Sequence, residues 1–125
     1  MSGNRYLLDT NAIIALLQKD SSLIELLQSA DWVGISIISQ IEFLAFSGLS
    51  EADQQLFQRF LQRVEVIDLA HQNSPLINLI TLIRQQHRLK LPDAIIAAMA
   101  IQNSAKLITR DLQLNKVTDL TTIDW

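Results

Sequence analysis

Four acidic residues of this chain are placed where they could act together in one reaction. They are Asp9, Glu42, Asp93 and Asp111. If they meet they repel, since two charges about 4 Å apart near a protein surface cost on the order of 4 kcal/mol. A divalent cation removes that conflict, and oxygen ligands without histidine or cysteine favour Mg²⁺ or Mn²⁺ over Zn²⁺. Because Mg²⁺ keeps waters and is usually completed by substrate phosphates, phosphoester hydrolysis by a metal-activated water is the chemistry that these residues predict.

Each acid also has a purely structural interpretation. Asp9 follows the apolar stretch RYLL and could cap the next helix. Glu42 comes three residues after Ser39, which is the spacing of a capping box. Asp93 follows a proline at a helix start, where a negative charge suits the helix dipole. Taken singly, each cap is the better explanation, and only the position of the elements makes the four acids a group.

The apolar pattern predicts alternating strands and helices. Short apolar runs bounded by polar residues predict strands at 6–8, 33–38, 64–67, 106–108 and 121–123. Apolar residues recurring every three or four positions predict helices at 12–18, 22–28, 40–46, 51–62, 75–87 and 93–103. This order favours parallel strands, since parallel neighbours need a crossover helix.

The predicted fold is therefore an α/β three-layer sandwich, in which helices flank a central parallel sheet of four to five strands. At 125 residues we expect a single domain, 1–125. The carboxyl ends of parallel strands share one edge with the amino ends of the next helices, which is where such sheets bind ligands. Asp9, Glu42 and Asp111 are expected at that edge. Asp93 joins them if the loop before its helix folds across it.

Composition limits the class of protein. The apolar content is 49% and the charged content only 18%, which predicts an apolar surface covered by a homodimer partner or another protein. There is no cysteine, so disulfides, thiolate metal sites and a cysteine nucleophile are excluded. No apolar run approaches the roughly 18 residues of a membrane span, and we expect a cytoplasmic protein without membrane contact.

Four stretches together resemble a known family. LLDTNAII, SQIEFL, KLPDAIIAAMA and LITRD, in this order, resemble the PIN-domain ribonucleases, and especially the VapC-like toxins of bacterial toxin–antitoxin pairs. The resemblance covers essentially the whole chain. It implies a PIN-like fold, an endoribonuclease that uses one or two Mg²⁺ or Mn²⁺ ions, a frequent homodimer, and inhibition by a small antitoxin bound near the active site.

The resemblance also implies roles for individual residues. The family's acidic positions fall on Asp9, Glu42, Asp93 and Asp111. Polar positions that help to hold the site are matched by Thr10 or Asn11 and by Thr109. Many relatives carry a further acid or an aromatic residue just after the last motif, where this chain has Gln113 and Leu114.

RNA binding must also fit the charge of the chain. The net charge is −3, and setting the four acids aside leaves +1, so the remaining surface is roughly neutral. Basic residues close to the acids in sequence are candidate contacts to the RNA backbone. They are Arg84, Arg88, Lys90 and Arg110.

Two alternatives remain open at this point. A receiver-like signalling domain has a similar length, architecture and acidic Mg²⁺ pocket, and Asp68 would be its phosphoacceptor. That class expects paired acids after the first strand and a lysine after the last, which this chain lacks. A catalytically inactive PIN-fold binding module would keep the fold without the chemistry.

Overall fold

The protein is a parallel sheet enclosed by helices. A computed structural model describes residues 3–125, so Met1 and Ser2 of the predicted domain lie outside the described residues. The strands are β1 Arg5–Leu8, β2 Trp32–Ser36, β3 Glu65–Ile67, β4 Lys106–Ile108 and β5 Thr122–Ile123. The helices are α1 Thr10–Leu17, α2 Ser21–Gln28, α3 Ile37–Leu44, α4 Glu51–Leu61, α5 Ser74–His87 and α6 Leu91–Gln102, with a 3₁₀ helix at Leu112–Lys116.

The strand order is β3-β2-β1-β4-β5, and every neighbouring pair is parallel. The chain builds outward from β1 to β3 on one side, then crosses through α5 and α6 to place β4 on the other side of β1. The order therefore reverses between β1 and β4. In open α/β sheets this switch point, at the carboxyl ends of the strands, is where a crevice forms.

Residues of β1 alternate between two cores, as the period of two in a strand requires. Tyr6 and Leu8 face the core under α1 to α4, which includes Phe43 and Phe57. Leu7 faces the core under α5 and α6. These two layers on the parallel sheet confirm the predicted α/β sandwich.

Helix α6 contains the longest run of buried residues among the helices. All seven residues from Ala94 to Ala100 are buried, and its alanines let the helix lie close to the sheet and to α5. It has only 12 residues. Within residues 3–125, no helix combines the length and the apolar character needed to cross a membrane.

The boundary between β2 and α3 differs from the prediction. The β-branched pair Ile37 and Ile38 reads as strand in the sequence, but α3 already begins at Ile37 because Ser36 caps it, its Oγ accepting from the Ile38 amide at 3.0 Å. The predicted capping box of Ser39 and Glu42 is therefore wrong. Ser39 is buried inside α3, and its Oγ has no hydrogen-bond partner among residues 3–125. The other predicted boundaries, including the start of α6 at Leu91, lie within two residues of those observed.

Candidate active site

The four acids named from the sequence line one open cleft at the carboxyl edge of the sheet. Asp9 follows β1, Glu42 lies on α3, Asp93 is in the first turn of α6, and Asp111 precedes the 3₁₀ helix. The complete lining is Asp9, Thr10, Asn11, Glu42, Ala45, Phe46, Asp93, Ile96, Asp111 and Leu114. Residues from α1, α3, α6, the 3₁₀ helix and the loops beside them thus meet at one place.

Asp9 is both a helix cap and a part of the cleft. Its amide donates to the Ile108 carbonyl at 3.2 Å, which fixes the end of β1 against β4. Its Oδ1 accepts from the Ala12 amide at 2.8 Å and caps α1. The carboxylate is only 8% exposed. The cap holds one oxygen and leaves the other without a helical partner, so the two interpretations of Asp9 are compatible.

Glu42 is oriented by a residue of another helix. Thr10, the first residue of α1, donates its hydroxyl to Glu42 Oε1 at 2.7 Å. This bond connects α1 to α3 across the mouth of the cleft. Glu42 thus has a tertiary partner in place of the local cap that its spacing from Ser39 suggested.

Thr109 connects two of the acids from below. It is buried, its amide donates to the Ile123 carbonyl at 3.0 Å, and its Oγ1 accepts from the Asp111 amide at 3.0 Å. Its side chain also hydrogen bonds to the Asp9 carboxylate. Asp111 Oδ1 in turn accepts from the Gln113 amide at 3.0 Å and caps the 3₁₀ helix. The polar floor of the cleft is therefore fixed by the pairing of β4 with β5.

The acids interact electrostatically. Burial raises the pKa of Asp9 above its ordinary value, hydrogen bonds from Thr109 and Ala12 lower it, and the charges of Asp111 and Glu42 raise it again. Burial is also the main cause that raises the pKa of Asp93, followed by Asp111 and Glu42, while Lys90 opposes it. The shift is upward for both mainly because burial disfavours the ionised form, and the neighbouring carboxylates add to it.

The donor chemistry of the cleft fits a hard divalent cation. Every charged group that lines it is a carboxylate, and Thr10 and Asn11 add further oxygens. Within residues 3–125, no three acidic or imidazole side chains are yet close enough to hold one ion together. The fit of these residues to a cation therefore rests on their donor type and on their lining one cleft.

The four basic residues named from the sequence have different surroundings. Lys90 precedes α6 and is close enough to lower the pKa of Asp93. Arg84 donates to the Leu89 carbonyl at 3.2 Å, and Arg88 is exposed with a left-handed backbone at φ 52°. Arg110 pairs with Asp124 at 2.9 Å, donates to the Trp125 carbonyl and lies over the Trp125 ring.

The apolar wall of the cleft was not predicted from the sequence. Ala45, Phe46, Ile96 and Leu114 also line it, and Phe46 is 48% exposed. Each lies three or four residues after one of the acids, so helical spacing alone could have placed it beside that acid. Leu114 occupies the region where an acid or an aromatic residue was expected, and here it is buried.

Asp68, the phosphoacceptor of the receiver-like alternative, lies elsewhere. It follows β3, which is the edge strand two positions away from β1 in the sheet. It does not belong to the lining of the acidic cleft. The acids thus converge at the switch point without Asp68, which speaks against a receiver-like site.

Comparison with solved structures finds the same fold over nearly the whole chain. VapBC2 from Rickettsia felis, bound to a promoter DNA fragment, contains a chain that is 24% identical with a TM-score of 0.82, covering 97% of this chain and 98% of that one. A chain of a toxin–antitoxin complex from Klebsiella pneumoniae is 26% identical, with a TM-score of 0.77. The match covers 94% of this chain and 96% of that chain. A chain of VapBC-1 from nontypeable Haemophilus influenzae is also 26% identical, with a TM-score of 0.73. The match covers 97% of this chain and 98% of that chain.

Two further comparisons concern sequence alone. Among curated proteins, none matches significantly. The PIN domain family model matches residues 6–120. This range includes all four acids, β1 from its second residue onward, and all of β2, β3 and β4. The convergent acidic cleft, the strand order and this match agree, and the chain belongs to the PIN domain family.

Proposed function

We propose that this protein is a divalent-metal-dependent endoribonuclease and the toxin of a toxin–antitoxin pair. The observation that carries the proposal is the convergence of Asp9, Glu42, Asp93 and Asp111 on one cleft, with the pKa of Asp9 and Asp93 raised. A cleft that concentrates negative charge is unfavourable for folding unless a cation neutralises it.

In this proposal Asp9, Glu42 and Asp93 hold an Mg²⁺ or Mn²⁺ ion, and Asp111 contributes directly or through water. One or two ions are compatible with this donor set. The chemistry that a bound ion supplies in such a cleft is a more acidic water and neutralisation of the charge that develops on a phosphate. No side chain is then required as the nucleophile.

Other residues of the chain orient the ligands and the substrate. Thr10 holds Glu42, Asn11 adds an amide at the mouth, and Thr109 holds the backbone of Asp111. Among the proposed contacts to the RNA backbone, Lys90 has the strongest support because it lies close to Asp93. Arg84, Arg88 and Arg110 complete that group, and Arg110 would first have to release Asp124.

The proposed antitoxin rests on similarity. The Klebsiella pneumoniae relative is part of a toxin–antitoxin complex, and the Haemophilus influenzae relative is a VapBC protein. A homodimer is proposed from the surface of α3, where Ile41 is 57% exposed and Leu44 is 43% exposed. Large apolar side chains that remain exposed on one helix are typical of a surface that a partner covers.

The test is a cleavage assay with synthetic RNA in Mn²⁺, in Mg²⁺ and in EDTA. We expect cleavage by the wild type with either metal and none with EDTA. Asp9→Asn and Asp93→Asn each remove a ligand charge at nearly constant volume, and we expect each to lower the rate about 100-fold or more. Asp31→Asn, on the opposite edge of the sheet, is the matched control and should cleave as the wild type does.

Two outcomes would contradict the proposal. Equal cleavage by the wild type and both cleft variants would show that the acids do not carry the reaction. Absence of metal-dependent cleavage in the wild type, with RNA binding retained, would favour the inactive binding module.

A further inference from the structure

A second feature of the cleft is an exposed aromatic ring in a fixed orientation. Phe46 follows α3, and its amide donates to the Phe43 carbonyl at 3.2 Å. Its ring meets the Phe43 ring edge to face, with the centroids 6.4 Å apart at an angle of 86°. Phe43 is buried and stacks on the buried Phe57 at 4.1 Å. The core therefore holds the base of the ring, while nearly half of Phe46 remains exposed.

Phe46 lines two adjoining depressions. One is the acidic cleft. The other, which we call the α1 groove, is lined by Ile14, Leu17, Gln18, Phe46, Ser47 and Leu49, among others. The ring thus separates a site for phosphate chemistry from an apolar slot that has polar side chains at its rim. The two parts of a nucleotide match these two depressions. Its phosphate suits the acidic cleft, and its base, joined to the phosphate through the sugar, suits the α1 groove.

We propose that Phe46 stacks on one unpaired base of the RNA substrate and that the α1 groove selects single-stranded RNA next to the cleavage site. This inference rests on the proposed ribonuclease function. Aromatic side chains stack on bases that have left a helix, and this contact is available only in loops, bulges and single strands. Gln18 and Ser47 can donate to and accept from the edge of such a base.

A protein segment is the competing occupant of the α1 groove. An amphipathic helix would need a continuous apolar stripe to receive its anchors at i, i+3, i+4 and i+7. The α1 groove interrupts its apolar lining with Gln18, Ser47 and Asp53. Phe46 also lines the acidic cleft, so a base stacked on its ring would lie next to the phosphate that the acids are proposed to process. The mixed lining and this position favour the base.

The first experiment measures cleavage of a single-stranded RNA and of the same strand in a duplex. For Phe46→Leu we expect the KM for the single strand to rise about 5- to 150-fold, the range found when one stacked base is lost, with kcat within about twofold. Phe46→Trp should stay within about threefold of the wild type in both parameters. Leu69→Ala, which changes another exposed apolar residue outside both depressions, should leave both parameters unchanged.

The second experiment detects stacking without cleavage. A single-stranded RNA with one 2-aminopurine is titrated with the Asp93→Asn variant, and we expect quenching of the fluorescent base. Adding Phe46→Leu to that variant should remove the quenching, and adding Phe46→Trp should keep it. Thermal unfolding of each variant checks that the fold is intact.

Several outcomes would overturn the inference. If the KM of Phe46→Leu or the quenching were unchanged, no base would stack on the ring. A protein segment would then be the better candidate for the occupant of the α1 groove. Dissociation of a dimer by Phe46→Leu in sedimentation, with KM unchanged, assigns the ring to a second copy. All of these outcomes leave the ribonuclease proposal intact, which fails separately if the wild type does not cleave or if Asp9→Asn and Asp93→Asn cleave normally.

Discussion

Charged side chains have different surroundings at the two edges of the sheet. At the amino edge, Asp31 accepts from the Gly3 and Asn4 amides, and Arg5 donates to the Asn103 carbonyl at 2.9 Å. The Arg5 guanidinium also lies 4.4 Å from the centre of the Trp32 ring. Both of these charged groups have partners, which stabilise the fold.

At the carboxyl edge, four carboxylates face one cleft, and both Asp9 and Asp93 are harder to ionise than usual. Hydrogen bonds hold Asp9, Glu42 and Asp111 in place without neutralising the group. Like charges gathered in a cleft, with raised carboxyl pKa values, are typical of a ligand site, so the carboxyl edge is the candidate active site.

Adding a divalent metal is the strongest test of the difference between the amino and carboxyl edges of the sheet. A ligand that binds only the folded state at about 100 times its dissociation constant stabilises it by about 2.7 kcal/mol. We expect Mg²⁺ or Mn²⁺ to raise the free energy of unfolding by about that amount, measured with urea, and EDTA to reverse the effect. Asp93→Asn should lose most of the increase and Asp31→Asn should keep it. An equal increase in both variants would mean that the ion binds elsewhere.

The amino edge should respond to a change in packing. A Cβ on Gly34 would lie 2.3 Å from the Trp32 ring, which folds over it. We expect Gly34→Ala to displace that ring and to lower the free energy of unfolding by about 1–3 kcal/mol. Gly3→Ala is the matched control, because its Cβ would meet nothing within 4 Å. If Gly34→Ala were as stable as the wild type, Trp32 would not be held as the structure has it.

Thr109 tests whether the floor of the cleft positions the acids. Thr109→Val removes the acceptor of the Asp111 amide and the hydrogen bond to Asp9 while keeping the shape. We expect a loss of about 1–2 kcal/mol in stability and of about 10- to 100-fold in cleavage rate. Thr109→Ser keeps the hydroxyl and should recover most of the rate. A slow Thr109→Ser variant would point to packing of the methyl group instead.

The smallest expected effect is on the pH dependence of stability. Because the folded state raises the pKa of Asp93, its contribution favours folding below the ordinary carboxyl pKa and is lost as the pH rises through the raised value. In EDTA, Asp93→Asn should therefore gain stability relative to the wild type between about pH 4 and pH 7. We expect less than about 1 kcal/mol, since Asp93 is partly exposed and screened. A constant difference across this range would contradict the raised pKa.

Much of the fold followed from local pattern. The alternation of short apolar strands with helices of period 3.6 predicts the parallel sheet, and all five strands and six helices are present. The start of α3 was the exception. Ile37 and Ile38 have the β-branched character of a strand, and the cap from Ser36 to the Ile38 amide overrides it.

The acids were predicted as a group for a topological reason. Asp9 and Asp111 follow parallel strands, and such strands end at one edge, so sequence position was enough to bring them near each other. The partner of Glu42 could not be read in the same way. Local spacing pointed to Ser39, whereas the bond that forms is with Thr10, which is 32 residues away.

The layered α/β architecture and the edge at which the acids gather could be predicted from the sequence alone. The hydrophobic period of each element is a local property, and strands that alternate with helices favour a parallel sheet. The contacts made at that edge could be seen only in the folded protein: Thr10 with Glu42, Thr109 with Asp111, Arg110 with Asp124, and Phe46 on Phe43. These contacts depend on how the layers pack, since a hydrogen bond or a ring contact requires positions set within a fraction of an ångström by residues distant in the chain.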